Sequence, residues 1–320
     1  MKLKKVTIDW DSLGFNLVKT RSMFTAECKS GENWKNGSLI PYGNIELSPA
    51  AVILNYGQGV FEGTKAFQTK NGEVALFRIN KNASRIAYST ERLCMPKMDN
   101  DFFIDAVIKT VKDNLDYIPP YGKGSLYVRP IVMGISAALG VRPATKYRFI
   151  IYVSPVGSYF RGDFKLLNLK IETNFHRAAP KGIGNAKAIG NYSASLFPLA
   201  KAKEEGFDEV IYLDAINEDR IEEIGSANLF VYHDGILKTP KVSGSILKGV
   251  TRDSVCSIAS EILKIEVQET DVFLTDLFNA DEVFCTGTAV QITPVGRISY
   301  NNTTYESVSY THLRAHETSD

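Results

Sequence analysis

The chain has 320 residues, 44% hydrophobic and 23% charged, which is globular in composition and enough for two cores. Its 37 basic residues are matched by 36 acidic ones, so nothing in the charge draws it to nucleic acid or to an anionic membrane. Cys28, Cys94, Cys256 and Cys285 form no CxxC pair, which argues against a zinc site or a disulfide framework. No apolar run spans a bilayer, and Met1–Trp10 lacks the apolar core of a signal peptide. The expectation is a cytoplasmic protein with reduced thiols, no metal, and neither nucleic acid nor membrane as partner.

In chain order, Ala66–Thr69 and Val74–Arg78 flank Asn71-Gly72, a strong hairpin signal. Asn82 stands where an N-cap is expected, ahead of a helix to about Leu93. A second helix is predicted from Asp101 to about Leu115, with Ile104, Val107, Ile108 and Val111 on one face, broken by Pro119-Pro120 and Gly122. Ser125–Met133 and Tyr147–Val153 read as strands around a loop at Ser136–Thr145. Pro155–Gly162 reads as the start of a linker.

Beyond it, Leu167, Leu169 and Ile171 alternate as a half-buried strand. Asn191 to about Glu205 is predicted helical and Glu209–Asp214 a strand. Asn228–Thr239 reads as a hairpin turning at Asp234-Gly235. Val250–Leu263 carries a helical apolar stripe, and Glu282–Cys285 and Val290–Ile298 complete a mostly β second half. No internal repeat is visible. The expected division is a small domain over 1–154, a linker over 155–166, a larger domain over 167–308, and an unrelated tail over 309–320.

Four distant segments each favour a phosphate- or aldehyde-bearing cofactor. In Gly182-Ile-Gly-Asn-Ala-Lys187-Ala-Ile-Gly190-Asn191-Tyr192, alanines and glycines leave room at a lysine amine, as a covalently loaded lysine requires. In Glu222-Glu223-Ile224-Gly225-Ser226-Ala227-Asn228, an acid precedes a strand, and an acid can hold a pyridine nitrogen protonated. Leu247-Lys248-Gly249-Val250-Thr251-Arg252 leads into a helix, where free amides suit phosphate. Thr286-Gly287-Thr288-Ala289 offers hydroxyls and amides in a turn. Singly, these also read as a surface lysine, an acidic turn, an ordinary helix start and a β-turn.

Together with Phe61-Glu-Gly-Thr-Lys-Ala-Phe67, Tyr127-Val-Arg-Pro130 and Pro155-Val-Gly-Ser-Tyr-Phe160, they resemble the branched-chain amino-acid aminotransferases over about Phe24–Tyr300. The resemblance implies a mixed α/β (α+β) two-domain fold of type IV, with a smaller α/β N-terminal domain and a larger β-rich C-terminal one. It implies pyridoxal 5′-phosphate (PLP), a Schiff base on Lys187, and exchange of the amino group of leucine, isoleucine or valine with 2-oxoglutarate. By the same resemblance Tyr192 meets the cofactor's phenolic oxygen and Glu223 its ring nitrogen, while Arg85, Ser226, Val250, Thr251 and Thr288 hold its phosphate. Phe24, Tyr56, Phe61, Tyr127 and Tyr159 line the substrate pocket, and Arg129 accepts the side-chain carboxylate of glutamate. The amides of Thr288 and Ala289 bind the α-carboxylate. Leu139 and Val141 lie on a loop that closes over a neighbouring subunit, which implies a homodimer with amino acids and 2-oxo acids as its small-molecule partners.

A D-amino-acid aminotransferase and an aminodeoxychorismate lyase are rivals within that fold, disfavoured by the Tyr127–Pro130 and Phe61–Phe67 motifs. A misfolded or non-catalytic product is the rival outside it. Val290 and Thr293 stand where mammalian relatives carry a CxxC, so no thiol switch is expected. Relatives continue past this chain's end with a packing helix, and the stretch from about Ser309 resembles unrelated sequence; its His312 and His316, at i, i+4, lack a third ligand.

Overall fold

The computed structural model describes residues 7–157 and 166–307. They divide into two compact units: 7–157 with Ala186–Gly190, and 166–185 with 191–307. Tyr159, His312, His316, the tail and most of the expected linker lie outside the described residues.

The first unit is an antiparallel sheet with helices. Its strands are β1 (Ser22–Lys29), β2 (Ser38–Pro41), β3 (Gly59–Phe61), β4 (Thr64–Gln68), β5 (Val74–Leu76), β6 (Ser125–Gly134) and β7 (Lys146–Val156). They run in the order β2-β1-β7-β6-β4-β5, with β3 beside β6. The helices are α1 (Val52–Tyr56), α2 (Ile79–Arg92) and α3 (Asn100–Asp113). The β4–β5 hairpin forms as its Asn-Gly signal predicts, with Gly72 at φ +80°. Asp99 caps α3 by accepting from the Phe102 amide at 2.8 Å, and Phe103, Ala106, Val107 and Val111 face the core. That face is turned from the expected one: Ile104 is half-buried and Phe103 sealed. β7 runs to Val156, two residues into the stretch read as linker.

Asn82 is not an N-cap. α2 begins three residues earlier, after Arg78 at φ +47°, and Asn82 is buried inside it. Its amide donates to Glu62 Oε2 at 2.8 Å and to the Gly63 carbonyl at 3.2 Å, so a tertiary contact overrode the local capping role.

The second unit holds β8 (Leu167–Glu172), β9 (Glu209–Leu213), β10 (Ile221–Ile224), β11 (Asn228–His233), β12 (Ile236–Pro240), β13 (Glu266–Thr270), β14 (Glu282–Gly287), β15 (Gln291–Tyr300) and β16 (Thr303–Glu306). Their order is β10-β9-β8-β15-β14-β11-β12-β13, with β16 beside β15. β8 pairs in parallel with β9 and β15, and β12 with β13; the other pairs are antiparallel. Leu167, Leu169 and Ile171 are buried as their alternation predicts. Asp234 (φ +47°) and Gly235 (φ +81°) make the expected β11–β12 turn.

Three helices complete this half, α5 (Leu196–Glu204), α6 (Val250–Ser257) and α7 (Leu274–Phe278), while α4 (Ile189–Ser193) starts in the first unit's segment and ends in this one. The single helix expected over 191–205 is therefore two. Pro198 explains the restart, because a proline is tolerated in a first turn but breaks a helix interior. The stripe after Val250 continues beyond α6 as a π-helical turn at Ile258–Ile262. Under it, the Phe230 and Phe284 rings stack at 4.9 Å beside Leu237, Val255 and Ala259.

Candidate active site

In the first unit the segment Ala186–Gly190 lies along β3. The Phe61 amide donates to the Lys187 carbonyl at 3.1 Å, and Val60 bridges Ala188. On the other side the Lys187 amide donates to Ser89 Oγ at 3.0 Å, and Ser89 in turn donates to the Arg85 carbonyl. The backbone of this half-buried lysine is thus fixed between a strand and α2, while its ammonium sits 4.7 Å from the Phe61 ring centre. The Arg129 guanidinium lies 4.8 Å from the same ring and 5.1 Å from that of Tyr127, whose hydroxyl accepts from Arg129 Nη2 at 3.0 Å. Phe15 meets Tyr127 edge-on at 5.2 Å. Gly63 makes room for this group, since a Cβ there would stand 2.3 Å from the Tyr127 oxygen.

Beneath them Glu62 is fully buried. Arg85 clamps both its oxygens, Nε to Oε1 at 2.6 Å and Nη2 to Oε2 at 2.8 Å, and Asn82 adds a third bond. Burial pushes the Glu62 carboxyl up, but Arg85, helped by Lys187 and Asn82, outweighs it and holds the group below the usual carboxylate range.

In the second unit Glu223 lies on β10, a short and wholly buried strand where an acidic turn was the ordinary reading. Its Oε1 accepts from Asn228 Nδ2 at 2.8 Å and from the Leu247 amide at 3.3 Å, and its Oε2 meets Arg177 Nη2 at 2.8 Å. Glu222 is buried beside it and bonds to Ser245 Oγ; burial pushes its carboxyl up, only partly offset by that hydroxyl and by Arg177. Asn228 reaches α6 as well: a Cβ on Gly249 would stand 2.0 Å from Asn228 Oδ1, so the start of this helix must be glycine. Thr288 and Ala289 lie in the turn after β14, and the Ser226 carbonyl comes within 4.0 Å of where Gly287 would carry a Cβ.

The structure therefore gathers Lys187, Phe61, Tyr127 and Arg129 in one unit, and Glu223, Ser226, the Gly249–Val250 helix start and the Thr288–Ala289 turn in the other. Arg85 stands two side-chain contacts from the lysine segment, through Ser89 and Glu62. Tyr192 lies half-buried on α4, where its carbonyl accepts from Ser195 Oγ; Thr251 is in the first turn of α6. Tyr56 and Leu139 form a separate pair, the Tyr56 hydroxyl donating to the Leu139 carbonyl. Leu139 and Val141 are 92% and 85% exposed, so this chain itself covers neither.

Phe24 is a correction: it is 2% exposed and packs edge-on against Phe102 and Phe149 in the sheet core, its ring filling the space that a Cβ on Gly37 would need. The aromatic beside Tyr127 is Phe15, which the motif reading passed over. The motifs likewise assign no site role to Ser89, Glu62, Asn82, Arg177 or Asn228. Asn82, Arg85 and Ser89 recur at i, i+3, i+7, a polar stripe on a helix that has a buried face, and that spacing was the available signal.

These donors suit PLP. α6 starts at a glycine with no side-chain cap, leaving its first amides for an anion. Glu223 is a buried acid whose arginine partner favours its charged form, as a ring-nitrogen partner requires. Among the described residues, His233, Asp234 and Asp281 come together as possible metal ligands, but all three are exposed and nothing connects them with these groups.

Comparison with known proteins agrees. The class IV amino-transferase family matches residues 59–298. Branched-chain amino acid aminotransferase 2, chloroplastic, of Humulus lupulus is 49% identical over 92% of this chain and 72% of its own length. A T.th. branched-chain amino acid aminotransferase complexed with N-(5′-phosphopyridoxyl)-L-glutamate superposes with a TM-score of 0.78 at 30% identity, covering 94% of this chain and 93% of that one. The Escherichia coli branched-chain amino acid aminotransferase gives 0.78 at 29% identity, covering 93% of each chain.

Proposed function

The chain belongs to the class IV aminotransferase family, and from that premise we propose how its residues move an amino group from leucine, isoleucine or valine to 2-oxoglutarate. The products are branched 2-oxo acids and L-glutamate. PLP, when bound, supplies an aldehyde carbon that takes the amino group and a ring that withdraws electrons from it.

Lys187 carries the cofactor, and its freed amine then lifts the proton from the substrate Cα and returns it during the reverse half. Phe61, against which that amine lies, keeps water from it. Glu223 holds a proton at the ring nitrogen, and Tyr192 donates to the phenolic oxygen. Arg85, Ser226, Thr288 and the amides of Val250 and Thr251 bind the phosphate. Thr288 and Ala289 offer amides to the α-carboxylate. Phe61, Tyr127 and Phe15 give a branched side chain an apolar surface, and Tyr56 and Tyr159 belong to the same proposed pocket. Arg129, stacked on two rings, receives the second carboxylate of glutamate. One pocket can thereby take both substrates.

The observation that carries this reading is the lysine segment clamped along β3 with its ammonium over Phe61. The visible spectrum of the PLP-loaded protein tests it. The cofactor band should collapse with leucine and return with 2-oxoglutarate; a band that responds to D-alanine and ignores leucine would move the chain to another class IV activity.

Exposed Leu139 and Val141 support a homodimer in which each chain's loop covers its neighbour. Sedimentation of wild type against Leu139→Asp tests that, with dissociation expected in the variant. No helix among the described residues is long and apolar enough to cross a membrane. The expected cytoplasmic location stands against a hop relative named as chloroplastic, and imaging a fluorescent fusion in the native cell decides between them.

A further inference from the structure

Arg177 has no assigned role, yet it makes a close, sealed ion pair with Glu223. The two side chains are 7% and 4% exposed and meet at 2.8 Å. A carboxylate so sealed from water favours its protonated form unless a cation stands beside it, and a protonated acid cannot hold a proton on the cofactor's ring. Arg177 supplies that cation through a guanidinium. It arrives on a tightly packed segment: a Cβ on Gly184 would stand 2.2 Å from the Ser245 carbonyl, to which Arg177 Nη2 also donates. The neighbouring Glu222 competes little for this charge. It is bonded to Ser245 Oγ, and its burial favours the neutral form. Asn228 and the Leu247 amide then occupy Oε1 of Glu223 and fix its plane.

We propose that Arg177 is a positioning residue that keeps Glu223 ionised and aimed, so that Glu223 can hold the ring nitrogen of PLP protonated. This rests on the reading that Glu223 meets that nitrogen.

The test loads protein with PLP labelled with nitrogen-15 in the ring and reads its resonance near neutral pH. Wild type should show the protonated position, and both Glu223→Gln and Arg177→Met the neutral one. An unmoved resonance in Glu223→Gln would overturn the reading of Glu223 itself. Movement in Glu223→Gln without movement in Arg177→Met would overturn the inference alone. Steady-state rates supply a second readout. Arg177→Met should lower kcat/KM for leucine roughly 10–100-fold, the scale of a lost charge-assisted bond. Joined to Glu223→Gln it should add almost nothing, because it acts through that residue, whereas additive losses would mark a merely structural role. If Arg177→Met does not fold, Arg177→Gln decides. It keeps a polar donor beside Glu223 but removes the charge, so the neutral resonance is expected, and an unshifted one overturns the proposal.

Discussion

Each unit buries a carboxylate against an arginine, and the two arrangements push their acids in opposite directions: Glu62 is held down and Glu222 is pushed up. In the lysine-bearing unit one acid, Glu62, takes two contacts from Arg85 and one from Asn82, and pairing overcomes burial. In the acid-bearing unit two adjacent glutamates stand near one arginine. Arg177 closes on Glu223, and Glu222, whose Oε1 bonds to Ser245 and whose Oε2 has no hydrogen-bond partner, is pushed up by burial. Burial is common to all three acids, so the position of the guanidinium sets how strongly each is drawn toward its charged form.

Lys187→Ala probes the comparison hardest, because the proposed function gives the reacting amine to Lys187 and no other residue takes over its role. Turnover with leucine should fall at least ~10²–10⁴-fold while the protein stays folded, measured by single-turnover absorbance and circular dichroism. Retained turnover would remove the distinction between the units.

Two substitutions in the first unit come next. Glu62→Gln removes the charge that pairs with a guanidinium whose side chain is 9% exposed, at a cost of about 1.5–3 kcal/mol in urea unfolding. Phe24→Ala should cost ~3–5 kcal/mol from the core and leave the KM for leucine nearly unchanged. Phe15→Ala, beside Tyr127, should do the reverse and raise that KM. Equal KM effects would put Phe24 back in the pocket.

The smallest effect is in pH dependence. Glu62 has a depressed carboxyl, so its contribution is present above the unfolded-state value of about 4.3 and is lost as pH falls through its folded value. Glu222 is raised, so its contribution is present below about 4.3 and is lost as pH rises through its folded value. Glu222→Gln should therefore gain on wild type as pH rises above that point, by no more than about 1.4 kcal/mol per pH unit. Unfolding midpoints across pH check it, and parallel curves would mean that Glu222 is not buried as an acid.

Local signals were legible wherever the chain's own chemistry sufficed. The Asn71-Gly72 and Asp234-Gly235 turns need left-handed backbone, and the structure puts glycine in it at both. The hairpin of β15 and β16 turns at Asn301 and Asn302, both at positive φ, and was missed because it lacks the glycine that marks the other two turns. β10 was missed because Glu222 and Glu223 look like solvent-facing residues until Arg177, Ser245 and Asn228 are brought to them. Of the proposed site, the lysine segment, the Glu222–Asn228 motif and the glycine-led helix stood out as motifs, and their roles follow from the family resemblance those motifs carry together. Phe24 and Phe15 could not be told apart, since either aromatic satisfies the same pattern.

The sequence by itself determined the family, because the motifs that mark it depend on residue type over short stretches, and the proposed lysine and cofactor donors follow from that resemblance. Only the tertiary structure decided which acid has a guanidinium against it, which phenylalanine is core and which arginine meets Glu223. Each of these depends on a partner far away in the chain, 46 residues off for Arg177 and Glu223, and on how much water burial removes from the pair.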